Sequence, residues 1–150
     1  MSQIITDKYG EEYPVSIAAD DGFFEALVYR NGLVGLIRCQ LRSHDEMVIG
    51  DLYICDATPV KERWWQTILR ILLRLKPRVI NYRQRGLGTA LLKFTLNYAQ
   101  TRGFKCVTGF IQSQDVSVED LISWYRENGF VVDTNVSPPT LFFSFEKIEL

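Results

Sequence analysis

The chain has little with which to hold a metal or staple a small fold. It carries one histidine, His44, and three cysteines, Cys39, Cys55 and Cys106. The cysteines are odd in number, far apart and set inside apolar runs. They match neither zinc-ligand spacing nor a disulfide framework, and they read as small buried thiols in a reducing compartment. No metal is expected. His44 stands in a polar stretch, Ser43-His44-Asp45-Glu46, and reads as a surface residue. No uninterrupted apolar run reaches the roughly 18 residues that cross a bilayer. The first residues are polar and acidic, so no secretory signal is expected and the cytoplasm is the expected compartment. Internal repeats, low-complexity tracts and inter-domain linkers are also missing, which leaves a single domain over residues 1–150.

What is present is ordinary globular composition, 47% hydrophobic and 23% charged, unevenly arranged. Between Lys61 and Arg85 lie Lys61, Arg63, Arg70, Arg74, Lys76, Arg78, Arg83 and Arg85 against one acid, Glu62. That segment carries +7 and the remainder −8, together the net −1 of the whole. Such asymmetry marks an anion footprint. A nucleic-acid role does not fit, because the basic segment is apolar and helix-patterned and its aromatics are not interleaved as stacking platforms.

Asn31-Gly32 between two apolar runs predicts a β-hairpin over "FFEALVYRNGLVGLIRCQLR". "EMVIGDLYIC" from Glu46 and the weaker "EYPVSIAA" bring the number to four antiparallel strands in a meander. The pattern then turns helical. Trp64, Ile68, Leu72 and Leu75, with Trp65 and Leu69 beside them, define one face over about residues 61–76, and Arg63, Arg70 and Arg74 define another. Pro77 ends it. A second helix follows from Leu87 through Tyr98 and stops at Gly103. "KCVTGFI" reads as a strand, a third helix runs from about Val118 to Asn128 behind Ser117, and "FVV" and "TLFFSFEKI" close the chain as strands. The fold expected is α+β, a mainly antiparallel sheet with helices packed on it.

"NYRQRGLGTALLKF" places Gly86 and Gly88 behind Arg83 and Arg85 at a helix start. The first amides of a helix lack intrahelical partners and sit at the positive end of its dipole. Glycine lets an anion approach several of them at once, and arginines add charge and bidentate contacts. A diphosphate suits that arrangement.

"GDLYI" (Gly50–Ile54), "NYRQRGLGTALL" (Asn81–Leu92) and "LISWYRENGF" (Leu121–Phe130) resemble, in order, three elements of the GNAT superfamily of acyl-CoA-dependent N-acetyltransferases. The resemblance covers about two-thirds of the chain. It implies a mixed, mainly antiparallel twisted sheet with helices on both faces, and acetyl-CoA as co-substrate. By the same resemblance Leu52, Tyr53 and Ile54 contact the pantetheine arm in a gap between "DLYI" and "KCVTGFI". Gln84, Arg85, Gly86, Leu87, Gly88 and Thr89, led by Arg83, cradle the pyrophosphate. Tyr125, four residues before Gly129, matches the tyrosine that protonates or holds the departing thiolate. Its ordinary pKa near 10 keeps it protonated at neutral pH. The activity implied is transfer of an acetyl group to a primary amine, of a small molecule or a protein, by direct attack in a ternary complex.

The sequence departs from the family pattern in several places. Gly50 stands where some relatives carry a glutamate base, which leaves Asp51 and Glu46 as candidate bases, and Val118 stands where an asparagine is common. These departures motivate a second reading, a non-catalytic acyl-CoA-binding or interaction module. The region ahead of the hairpin is too short for the two helices that usually follow the first strand. About two dozen extra residues instead separate "DLYI" from the glycine turn. Their amphipathic helix, about 24 Å long, fits three roles: shaping the acceptor pocket, contacting a membrane or partner, or packing on the core. A homodimer is compatible with the sequence.

Overall fold

The computed structural model describes residues 3–55, 58–59, 64–74, 79–80, 82–113 and 116–146. Lys61, Arg63, Leu75, Lys76, Pro77, Arg78 and Asn81, and the end of the last apolar run, lie outside them. In chain order come β1 (Gln3–Thr6), β2 (Glu12–Ala19), β3 (Phe23–Tyr29), β4 (Leu33–Leu41), β5 (Glu46–Ile54), β6 (Thr58–Pro59), α1 (Trp64–Leu72) and β7 (Val79–Ile80). A 3₁₀ turn (Tyr82–Arg85) follows, then α2 (Leu87–Thr101), β8 (Cys106–Phe110), α3 (Val118–Glu127), β9 (Val131–Asp133) and β10 (Thr140–Ser144).

Eight strands form one sheet in the order β1-β2-β3-β4-β5-β8-β10-β9. Every pairing is antiparallel except β5 with β8. The expected meander is β2 to β5, and its tight turn has φ 53° at Asn31 and 134° at Gly32, as an Asn-Gly turn requires. Sequence reasoning missed β1, four residues that pair with β2 from Gln3↔Val15 to Thr6↔Glu12.

Register assigns the two faces. Phe24, Cys39, Ile49, Gly109, Leu141 and Val132 are partnered in one row across six strands, and none is exposed. On this face the Tyr98 ring of α2 lies 4.2 Å from Phe24, and the aromatic chain Tyr125–Phe130–Phe143 (5.3 and 5.2 Å) brings in α3. The neighbouring row, Phe23, Gln40, Val48, Thr108, Phe142 and Val131, contains no buried residue. The mixed, mainly antiparallel sheet with helices packed on it is the fold expected. β1 turns into β2 within five residues, with no helix between them.

The inserted segment does form a helix, but not a packed one. Trp64 (76% exposed), Ile71 (70%) and Leu72 (74%) lie open, as do Trp65, Ile68, Leu69 and Leu73. Packing on the chain's own core is therefore ruled out for these residues. The excursion closes on itself, with Thr58↔Ile80 and Pro59↔Val79 pairing antiparallel at its base.

Candidate active site

The site begins where the parallel pair comes apart. β5 and β8 pair from Glu46↔Cys106 to Ile49↔Gly109 and no further. Beyond that point Gly50, Leu52, Tyr53 and Ile54 face Phe110, Ile111, Gln112 and Ser113 across a cavity of about 400 Å³. On the β4 side the register steps from Cys39↔Ile49 to Arg38↔Asp51, so Gly50 is the extra residue of a β-bulge at the cavity wall.

The glycine turn closes one end. Gly86 has φ 74°, a left-handed conformation that costs an L side chain roughly 1–2 kcal/mol. No side chain caps α2, and its first backbone bond runs from the Ala90 amide to the Gly86 carbonyl (3.0 Å). The amides of Leu87, Gly88 and Thr89 precede that bond and have no intrahelical acceptor. Gly86, Gly88, Thr89 and Arg83 line the cavity. The Arg83 Nε donates to the Ile54 carbonyl (3.2 Å), tying turn to strand. Thr89 Oγ1 accepts from the Trp124 indole (3.0 Å), joining α2 to α3.

Other expected members of the cradle lie differently. Leu87 is fully buried in the core, so only its backbone faces the turn. The Arg85 guanidinium pairs with Asp7 and Glu11, both at 3.0 Å, and is absent from the cavity wall. Its carbonyl accepts from the Lys8 amide (2.9 Å). Asp7 has a fully buried side chain that also accepts from the Tyr9 and Glu11 amides and the Tyr13 hydroxyl. Burial alone would push its carboxyl up, but these four donors outweigh burial and hold it below its ordinary 3.8. Arg85 thus clamps the N-terminal hairpin to the glycine turn. For Gln84 only the backbone of the 3₁₀ turn is described.

Tyr125 is buried at the cavity wall, edge-on to Trp124 (4.8 Å) and Phe130 (5.3 Å). Burial, with Cys39 nearby, pushes its phenol up to about 12. Cys39 is itself held near 12 by burial and stays a neutral thiol. Cys55 and Cys106 are half-buried thiols, and His44 is exposed as expected.

The two candidate bases are not brought to the cavity. Glu46 sits at the closed end of the β5–β8 pair, where Thr108 donates to it (2.8 Å) and Arg42 lies 3.8 Å away. Asp51 is exposed opposite Arg38 and does not line the cavity. Of β5 beyond the last pair with β8, Gly50, Leu52, Tyr53 and Ile54 line the cavity. The carboxylate that does line it, Asp120, was read from sequence only as part of a helix start. Its signal was its place on the Tyr125 side of α3, with Leu121 and Trp124. Among the described residues, none of α1 lines the cavity. Among the described residues no cluster of three or more His, Cys, Asp or Glu could hold a metal ion.

This sheet, parted at one parallel pair with a glycine turn opening the crossover helix, is the acyl-CoA N-acyltransferase (GNAT) fold. The GNAT domain of PAT from S. lividans matches 96% of this chain and 97% of its own, with TM-score 0.64 and 9% identity. A GNAT family acetyltransferase from Elizabethkingia anophelis, solved with acetyl-CoA bound, matches 83% and 77%, with TM-score 0.56 and 11% identity. The anti-CRISPR protein AcrVA5 matches 82% of this chain and 99% of its own, with TM-score 0.51 and 20% identity. No family model matches, and no curated protein matches in sequence.

Proposed function

We propose that this protein transfers an acetyl group from acetyl-CoA to a primary amine. The observation that carries the reading is the parting of β5 from β8 directly in front of an uncapped, glycine-opened helix start. The gap offers strand backbone to an extended pantetheine arm. The amides of Leu87, Gly88 and Thr89, with Arg83, offer donors and charge to a diphosphate. That a GNAT-fold neighbour was solved with acetyl-CoA bound adds support.

Acetyl-CoA supplies the acyl group as a thioester. The amine nitrogen forms a bond to the carbonyl carbon, the carbon–sulfur bond breaks, and the amine loses a proton. Asp120 takes that proton directly or through a water, the role for which Asp51 and Glu46 were expected. Tyr125 donates its hydroxyl hydrogen toward the departing sulfur. A phenol near 12 is a weaker acid than an ordinary thiol near 8.5 by roughly three to four units. Tyr125 therefore acts mainly by holding the thiolate in a hydrogen bond, while the final proton comes from solvent.

A second reading has its own observation. Gly50 replaces the glutamate of some relatives, and Asp51 and Glu46 lie off the cavity, which favours an acyl-CoA-binding module without turnover. Thiol release from acetyl-CoA across a panel of amines separates the two. Amine-dependent release that falls in Tyr125→Phe supports transfer, and tight binding with no release from any amine supports the module.

A further inference from the structure

We infer that α1 is an interfacial anchor that lays the protein on an anionic lipid surface. This inference does not depend on the reaction proposed above. Large apolar side chains at Trp64, Trp65, Ile68, Leu69, Ile71 and Leu72 are all exposed, a contiguous apolar face of a kind monomers seldom leave bare. At 100° per residue those positions share one half of the helix. Within α1, position 70, an arginine, falls on the other half. Two adjacent tryptophans beside leucine and isoleucine, in an arginine-rich segment, are the composition of helices that lie in the headgroup region. At nine residues α1 is about 14 Å long. No helix among the described residues is long and apolar enough to cross a membrane.

Charge selects the occupant. From Lys61 to Arg83 there are seven basic residues and one acid. A second copy docked through this face would bring the same positive charge, and a zwitterionic surface would leave it unanswered. Anionic headgroups complement it, at about 1 kcal/mol per basic residue, or about fivefold in partitioning. The anchor also sits near the cavity. Ile54 lies four residues before β6 and Arg83 three after β7, and extended chain covers at most about 3.5 Å per residue. The base of the excursion is thus within about 14 Å of the cavity wall, so docking would hold that wall close to the lipid surface.

The experiment is co-sedimentation of the full chain with vesicles of phosphatidylcholine alone and with added phosphatidylglycerol, at low and high salt. Binding is expected only with phosphatidylglycerol, weakening at high salt, with a blue shift of tryptophan emission. Trp64→Ala with Trp65→Ala should abolish both. Arg70→Gln and Arg74→Gln should each weaken binding about fivefold. Trp64, Trp65 and Arg74 are exposed, and unchanged cooperative unfolding of each variant checks that it folds. Three results would overturn the inference: no vesicle binding, equal binding to both vesicle types, or binding unchanged in the tryptophan variant. Self-association that Leu69→Glu abolishes, without vesicle binding, would assign the face to a second copy instead.

Discussion

α1 and α2 are both amphipathic in sequence and share almost nothing else. In α2 the residues Leu87, Leu91, Leu92, Thr95, Leu96 and Ala99 are buried against the sheet. In α1 every apolar side chain is exposed. The difference teaches that a helical apolar stripe announces a face needing cover and does not say what covers it. α2 follows a turn fixed to the sheet by Arg83 and to the N-terminal hairpin by Arg85, so its stripe must land on the core. α1 stands between the two-residue strands β6 and β7, which pair only with each other.

The largest expected effect lies at the packed helix. Leu91→Ala removes a fully buried side chain and should cost about 3 kcal/mol in denaturant unfolding. A loss below about 1 kcal/mol would break the contrast with α1.

The cavity that α2 opens can be tested through Tyr125. Tyr125→Phe should lower kcat about 100-fold and leave the KM for acetyl-CoA nearly unchanged. Since burial holds the phenol near 12, it stays protonated, and no loss of rate from its ionisation is expected up to about pH 10. An alkaline limb below that, present in the native chain and gone in the variant, would count against this assignment.

The clamp at the start of α2 comes next. Asp7→Asn should destabilise by about 2 kcal/mol, since it weakens charge-assisted bonds to a buried group. The folded carboxyl titrates below its ordinary 3.8, so its contribution is complete above that value and disappears as pH falls through the folded one. The gap between native and variant stability should therefore close in acid. A gap that stayed constant down to pH 2 would show that the charge is not what holds the hairpin.

Gly86→Ala, which forces a side chain into φ 74°, should cost about 1 kcal/mol by thermal melting. Smallest of all, Leu69→Ala in α1 should change stability by less than about 0.5 kcal/mol. A cost near that of Leu91→Ala would mean that α1 is packed after all.

Much of the framework was legible because its signals are local. Asn31-Gly32 turned where two positive φ angles were needed. Ser117 caps α3 through the Asp120 amide (3.2 Å), and Gly103 and Gly129 end their helices at φ 85° and 91°. What stayed hidden depends on tertiary partners. β1 is four residues long and is a strand because β2 pairs with it. Arg85 was read as a phosphate ligand, but a partner 78 residues away takes its guanidinium. Asp51 and Glu46 looked near enough to the cavity along the chain, but Glu46 lies at the paired end of β5 and Asp51 opposite Arg38. Asp120 was visible only once α3 was set beside the gap.

The most direct measurement is titration of the full chain with coenzyme A, followed by calorimetry and by amide chemical shifts. Saturable 1:1 heat is expected, with the largest shifts at Gly86, Leu87, Gly88 and Thr89, and weaker binding in Gly88→Val, whose side chain would project toward Ile54 and Trp124. No heat and no shift in that turn at millimolar ligand would contradict the assignment of the cavity to an acyl-CoA.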